Sequence, residues 1–234
     1  MRRLPLFLIA VLLLPGCVYL RLLDLRGQLA DFDRYIEVVA GPGLGIRFRE
    51  PPLEAEDVTT LIGSGPTATA PFPGGEARTY AFTRLPSDQG EDSPGAVTTL
   101  VMTTLVAEGR LQAVTFPPEV FRAVPRSLAL SALRAMGRAE VDTARRSAEI
   151  PMDPLMDPAS VPTGHELVEV FGHPNLRQPL PGGGSRWVWR YRLQRPEEGT
   201  PVMAAVAFVF AGGRERPVQF QVHISGMWLY LALR

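Results

Sequence analysis

The chain has 234 residues, of which 46% are hydrophobic and 21% are charged. This length and balance are typical of a globular protein with a sizeable core, in one large or two small domains. The 24 basic residues, all arginine, balance the 24 acidic ones and are scattered along the chain. That distribution excludes the basic surface typical of a nucleic-acid-binding protein.

The N-terminus has the build of a bacterial secretory signal. A basic start, Met1–Arg3, precedes the apolar run Leu4–Leu14 and the sequence Pro15-Gly16-Cys17. Cys17 is the only cysteine, and its setting resembles the lipobox of bacterial lipoproteins, which implies removal of residues 1–16 as a signal peptide and a diacyl lipid on Cys17. An uncleaved anchor and ordinary soluble secretion are the alternatives, and all three export the rest of the chain.

Residues 17–52 predict an anchor helix followed by short strands. Apolar residues recur every three or four positions from Leu22 to Ile36, which predicts an amphipathic helix. Because acids and arginines mix on its polar side, packing on the protein's own body is favoured over lying on a membrane surface. Tyr35–Ala40 and Leu44–Arg49 predict two short strands or an irregular hairpin.

Two stretches, residues 53–117 and 161–234, each predict a helix, a glycine stop and three antiparallel strands. The helix of the second stretch ends at Gly172, and Gly63 occupies the matching position in the first. The aromatic strand residues correspond at the same offset, Tyr80 with Trp189 and Phe82 with Tyr191. This agreement in element order and aromatic positions predicts an internal repeat.

The segment between them, residues 118–160, is predicted to be a helical connector. Pro118–Val124 predicts a short helix or turn, and Arg126–Ile150 a longer helical stretch that Gly137 weakens. At the other end of the chain, Met227–Leu233 is too short to span a membrane. It is expected to form a buried terminal strand rather than an exposed apolar segment.

The second unit, Thr163 to Phe220, resembles the BamE (SmpA/OmlA) domain of outer-membrane lipoproteins. The residues that carry the resemblance are Leu167, Phe171, Gly172, Pro174, Gly182–Gly184, Trp189 and Tyr191. The first unit, Glu54 to Phe116, resembles it more weakly. Two such units in tandem are similar to β-lactamase inhibitory proteins, whose paired sheets form a concave protein-binding surface.

The resemblance implies an α+β fold with two tandem helix-plus-three-stranded antiparallel units. A central helical segment joins the units, and the signal or lipid anchor and the amphipathic helix precede them.

The sequence offers no catalytic constellation. Its three histidines, His165, His173 and His223, lie at a predicted helix start, a helix stop and a polar strand face. The sequence has no Gly-x-Ser-x-Gly elbow of a serine hydrolase. His165 and His173 are eight residues apart with no cysteine partner, which does not suit a zinc site, and the glycine-rich turn lacks the Lys-Ser/Thr of a phosphate loop. We therefore expect no enzyme activity, no metal and no cofactor.

The strand that contains Trp187 and Trp189 predicts two unlike faces. Burial of Trp189 and Tyr191 against the unit's own helix is favoured over their exposure as a binding patch. The candidate protein-binding surface is then the opposite face, with Arg186, Arg190, Arg192, Gln219, Gln221 and His223.

Together these features predict a non-enzymatic bacterial envelope lipoprotein that binds other proteins through its sheets. The expected role is a scaffold or assembly factor that faces the periplasm from the outer membrane. An inhibitor-type binder of an envelope enzyme is the alternative. The expected partners are the membrane, through the lipidated N-terminus, and an envelope protein, but no nucleic acid and no small-molecule substrate.

Lipidation of Cys17 can be tested by growth with a radioactive fatty acid. The wild-type protein should become labelled and the Cys17→Ala variant should not, since only the lipobox cysteine is expected to carry acyl groups. An unlabelled wild-type protein would contradict the lipoprotein assignment.

Overall fold

The computed structural model describes residues 18–87, 90, 95–152, 157–193 and 202–233. In these residues, thirteen strands form a single mixed sheet, accompanied by five helices. The predicted fold of two tandem helix-plus-three-stranded units is therefore wrong. The physical reason is that strands from the two stretches pair with each other, so that hydrogen bonding continues across the expected boundary.

The strands are short in the N-terminal and connector regions and long at the centre of the sheet. In chain order they are β1 (Ile36–Val39), β2 (Leu44–Phe48), β3 (Ala68–Phe72), β4 (Gly75–Arg84), β5 (Thr99–Ala107), β6 (Arg110–Phe116), β7 (Glu140–Asp142), β8 (Ser147–Ile150), β9 (Leu176–Pro179), β10 (Ser185–Leu193), β11 (Met203–Phe210), β12 (Gln219–Ile224) and β13 (Met227–Ala232). Their order in the sheet is β1-β2-β6-β5-β4-β10-β11-β12-β13-β8-β7, with β3 on β4 and β9 on β10. Among these pairs, β13 and β8 run parallel and the others antiparallel.

The helices are short. They are α1 (residues 18–30), α2 (Phe32–Tyr35), α3 (Ala55–Ile62), α4 (Arg126–Met136) and α5 (Gly164–Phe171). Single 3-10 turns cover Pro118–Arg122, Pro158–Ser160 and Pro181–Gly183. In the described parts of the chain, no helix combines the length and hydropathy needed to cross a bilayer.

Helices α3 and α5 begin and end with the same capping interactions. In α5, Thr163 Oγ1 accepts a hydrogen bond from the Glu166 backbone and Glu166 accepts one from the Thr163 backbone, which is a capping box. A capping box also begins α3. Both helices end on a glycine with a positive φ, 78° at Gly63 and 70° at Gly172. Residues other than glycine rarely adopt this backbone conformation. The predicted helix stops are therefore confirmed.

The predicted helical stretch from Arg126 to Ile150 is half wrong, because α4 ends at Met136 and the hairpin β7–β8 follows. Gly137 lies against the end of α1, where an added Cβ would come within 2.2 Å of the Ala30 nitrogen. After this close approach the chain turns away, and β8 pairs with β13. Those sheet hydrogen bonds join segments about eighty residues apart, so a local helical pattern does not reveal them.

The core forms three hydrophobic clusters on one side of the sheet. The first joins α1 and α2 to α3 and Tyr80. The second joins α5 to Trp189 and its neighbours, and the third joins α4 to the end of β13. The opposite side of the sheet, which we call the open face, carries Thr83 on β4 and Arg192 on β10. The helices thus cover one face of the sheet.

A buried ion pair holds α1 against α3. The Arg21 guanidinium donates two hydrogen bonds, of 2.6 and 2.7 Å, to the Asp57 carboxylate, whose side chain is only 1% exposed. Burial opposes ionisation of Asp57, but the hydrogen bonds from Arg21 and the Glu54 backbone, with the Arg21 charge, outweigh it and lower the pKa of Asp57. The contribution of this pair to stability therefore depends on an ionised Asp57.

We predict that Asp57→Ala lowers the free energy of unfolding by about 3 kcal/mol at pH 7, because it leaves Arg21 without its buried partner. The folded-state pKa lies below the unfolded-state value, so this contribution is complete above about pH 5 and falls as the pH drops through the folded-state pKa. Urea unfolding at pH 7 and pH 3 measures it. Glu56→Gln, at a residue whose carboxylate is mainly exposed, is the control with little effect. An equal loss for Asp57→Ala at both pH values would contradict an ionic contribution.

Candidate functional site

Strand β10 separates an apolar face from a charged one. Trp189 and Tyr191 are buried at 1% and 3% exposure, whereas Arg190 and Arg192 are exposed on the open face. The Trp189 indole N–H donates to the Gly172 carbonyl at 2.9 Å, which ties the strand to the end of α5. The favoured burial of Trp189 and Tyr191 is thus confirmed.

The strands β4 and β10 meet over three residue pairs, which we call the join. The paired residues are Phe82 with Leu193, Thr83 with Arg192, and Arg84 with Tyr191. Asn175 closes one end of the join, because its side-chain amide donates to the Leu85 and Pro86 carbonyls at 3.0 and 2.6 Å. Its side-chain oxygen accepts from the Arg190 backbone at 2.7 Å. One side chain therefore bonds to both halves of the sheet.

Arg84 lies buried at the join, next to Tyr191. Its guanidinium donates to the His173 carbonyl at 3.0 Å. Burial lowers the pKa of Arg84, with Tyr191 opposing the shift. Burial raises the pKa of the Tyr191 hydroxyl, and the Arg84 charge opposes that shift. Tyr191 consequently stays protonated at neutral pH, and the pair offers no base for catalysis.

Six side chains on β10, β12 and β13 form what we call the polar–aromatic patch of the open face. They are Arg186, Gln219, Gln221, His223, Trp228 and Tyr230. Arg186 donates to the Gln221 side chain at 2.8 Å, and Gln221 donates to Gln219 at 2.7 Å.

Aromatic rings continue the patch along β13. The His223 and Trp228 rings lie 4.4 Å apart, and Trp228 stacks on Tyr230 at 5.8 Å. The Arg186 guanidinium lies 5.4 Å from the Trp228 ring centre, within reach of a cation–π interaction. Partial burial, and then the charge of Arg186, lower the pKa of His223, so this imidazole is neutral at pH 7.

The structure brings together four of the six predicted protein-binding residues. Arg186, Gln219, Gln221 and His223 belong to the polar–aromatic patch, whereas Arg190 and Arg192 lie farther along β10, exposed on the same face. Gln221 is only 8% exposed. Its role is therefore to hold Arg186 and Gln219 in place rather than to offer a contact. Cys17, the predicted lipidation site, lies outside the described residues.

Sequence reasoning missed the contribution of β13 to this surface. The tail Met227–Leu233 does form the expected terminal strand, but Trp228 and Tyr230 lie on the open face while Leu231 and Leu233 are buried. The alternation of aromatic and leucine residues in this tail was the available signal, because successive strand residues face opposite ways.

The side chains of the open face offer hydrogen-bond donors, stacked rings and positive charge. The described residues contain no group of three or more acids, histidines or cysteines that could hold a metal ion. Comparison of the chain with protein-family models, with curated proteins and with solved structures gives no match. The resemblance to BamE domains therefore depends on the sequence motif alone.

Substitutions on the two faces of β10 should affect the free energy of unfolding very differently. Trp189→Ala should lower the free energy of unfolding by about 3–5 kcal/mol, because it removes a buried indole from the second cluster. Arg190→Glu should change it by less than about 0.5 kcal/mol, because this side chain is exposed. Chemical denaturation of both variants measures the difference. An unchanged thermal midpoint for Trp189→Ala would reverse the assignment of the faces.

Proposed function

We propose that this protein is a non-enzymatic envelope lipoprotein that is held at a membrane through Cys17 and binds another protein on the open face of its sheet. The observation that carries the proposal is the polar–aromatic patch, which lies on the face of the sheet opposite the three core clusters. The N-terminal signal with its lone cysteine supports export and anchoring.

The composition of the patch supports a protein partner. Tryptophan, tyrosine and arginine are the residues that contribute most often to binding energy at protein interfaces. The Trp228 ring already stacks on Tyr230 and lies against the His223 ring, and Arg186 already donates a hydrogen bond to Gln221. Because these side chains are ordered before binding, association costs less conformational entropy.

Charges around the patch would orient the partner. Arg190 and Arg192 are exposed on one side of it, on β10. On the other side, Glu149 pairs with Tyr230 and Glu140 pairs with Glu149, and both glutamates are exposed. Residues paired on neighbouring strands face the same way, so the open face runs from positive to negative charge across the patch. A partner with the reverse polarity would dock in one orientation.

Site-specific cross-linking in cells tests the open face. With a benzophenone amino acid in place of Arg192, we expect an adduct with one envelope protein, and with the same amino acid in place of His165, exposed on α5, we expect none. Adding Arg190→Glu should lower the yield at position 192 roughly tenfold, a loss typical of an interface arginine, without changing the thermal midpoint.

The identity of the adduct separates the two roles. Components of an outer-membrane assembly machine would support the scaffold role, and a single soluble enzyme would support the inhibitor role. Equal adducts at positions 192 and 165, or none at 192, would overturn binding on the open face.

A further inference from the structure

An apolar cavity of about 390 Å³ lies between the helix-covered face of the sheet and α4. Its floor includes Trp189, Val206 and Phe220 of the sheet, and its roof includes Leu128 and Ala132 of α4. Its volume is within the range of about 300–1,000 Å³ that is typical of small-molecule sites. The candidate protein-binding surface lies on the opposite side of the sheet.

The cavity lies between the three core clusters. Phe171 and Phe208 of the second cluster line it, as do Leu231 and Leu233 of the third. Side chains that pack against the first cluster, such as Met136, line it as well. Val206, Phe220 and Val222 are only half-buried, although they lie on the helix-covered face. This part of the sheet therefore presents apolar surface without a side chain to cover it.

The chemistry of the lining selects an uncharged ligand. No charged residue lines the cavity, and only Trp189 and Tyr191 carry a polar side-chain atom there. The Trp189 N–H already donates to the Gly172 carbonyl, and burial keeps the Tyr191 hydroxyl protonated. A ligand with a buried charge would have no partner in this space.

Lining residues lie on seven strands, from Leu44 on β2 to Leu231 on β13. A flexible hydrocarbon chain can follow a space that extends across so many strands.

We propose that this cavity holds an acyl chain of a membrane lipid. The choice of source rests on the proposed anchoring, which keeps the protein at a bilayer. It also rests on α1, which begins at residue 18, directly after Cys17, and exposes Tyr19, Leu20 and Leu23, with Leu20 65% exposed. Apolar side chains at this end of the helix suit contact with a lipid surface.

Photo-labelling with lipids that carry a diazirine in the acyl chain tests the proposal. The full-length protein is reconstituted in phosphatidylethanolamine vesicles that contain the diazirine phospholipid, and a parallel sample receives diazirine palmitate in solution without vesicles. We expect both probes to label peptides from α4 and from β12, because these elements line the cavity.

Filling the cavity should block the labelling. Ala132→Phe places a ring in the space and should lower the yield at least tenfold, whereas Ser127→Phe adds the same ring at an exposed position of α4 and should leave it unchanged. Val206→Phe fills the cavity from the sheet side and replaces Ala132→Phe if that variant does not fold. The thermal midpoint of each variant serves as the folding control.

Labelling that is confined to residues 17–30, or that both filled variants retain in full, would overturn the proposal. Labelling of α4 by free palmitate but not from vesicles would overturn a membrane lipid as the source, whereas the anchoring is tested separately by the labelling of Cys17. If no partner is found in cells but α4 is labelled from vesicles, the acyl site is supported. Only the proposed protein-binding function is then overturned.

Discussion

The join between β4 and β10 is the contact on which the sheet depends. It is only three residue pairs long, so the side chains around it matter more than in the longer strand pairs. Asn175 bonds to both halves, and Ser87 adds a hydrogen bond of 2.7 Å to the Pro174 carbonyl. The turn that ends α5 therefore has two functions, since it stops the helix and fastens the two halves of the sheet.

Because the join makes one continuous sheet of the two halves, the sheet has more apolar surface than the helices cover. The uncovered surface includes Val206, Phe220 and Val222, which are half-buried and line the apolar cavity of about 390 Å³. An apolar ligand in this cavity would remove that surface from water, which is favourable by roughly 25 cal/mol per Å² of apolar area buried.

Local features of this chain could be predicted from its sequence, and long-range pairing could not. Gly63 and Gly172 end their helices, and Trp189 and Arg190 face opposite ways, because capping and strand alternation are set by neighbouring residues. The join depends on two strand ends that lie about a hundred residues apart in the sequence. The backbone groups that form its hydrogen bonds are the same in every residue, so the hydrophobic pattern does not indicate which strands pair. The open-face position of Trp228 follows from alternation, but only once β13 is known to lie beside β12.

Strand β10 connects the cavity to the candidate protein-binding surface. Trp189 and Tyr191 line the cavity, and the side chains of Arg190 and Arg192 project from the same backbone to the open face. Trp189 and Arg190 are neighbours on β10, so the two proposed sites share one structural element. By thermodynamic linkage, any effect of an acyl chain on the affinity for a protein partner must be matched by an equal effect of that partner on the affinity for the acyl chain. Under the two proposals, an acyl chain and a protein partner bind on opposite faces of one strand.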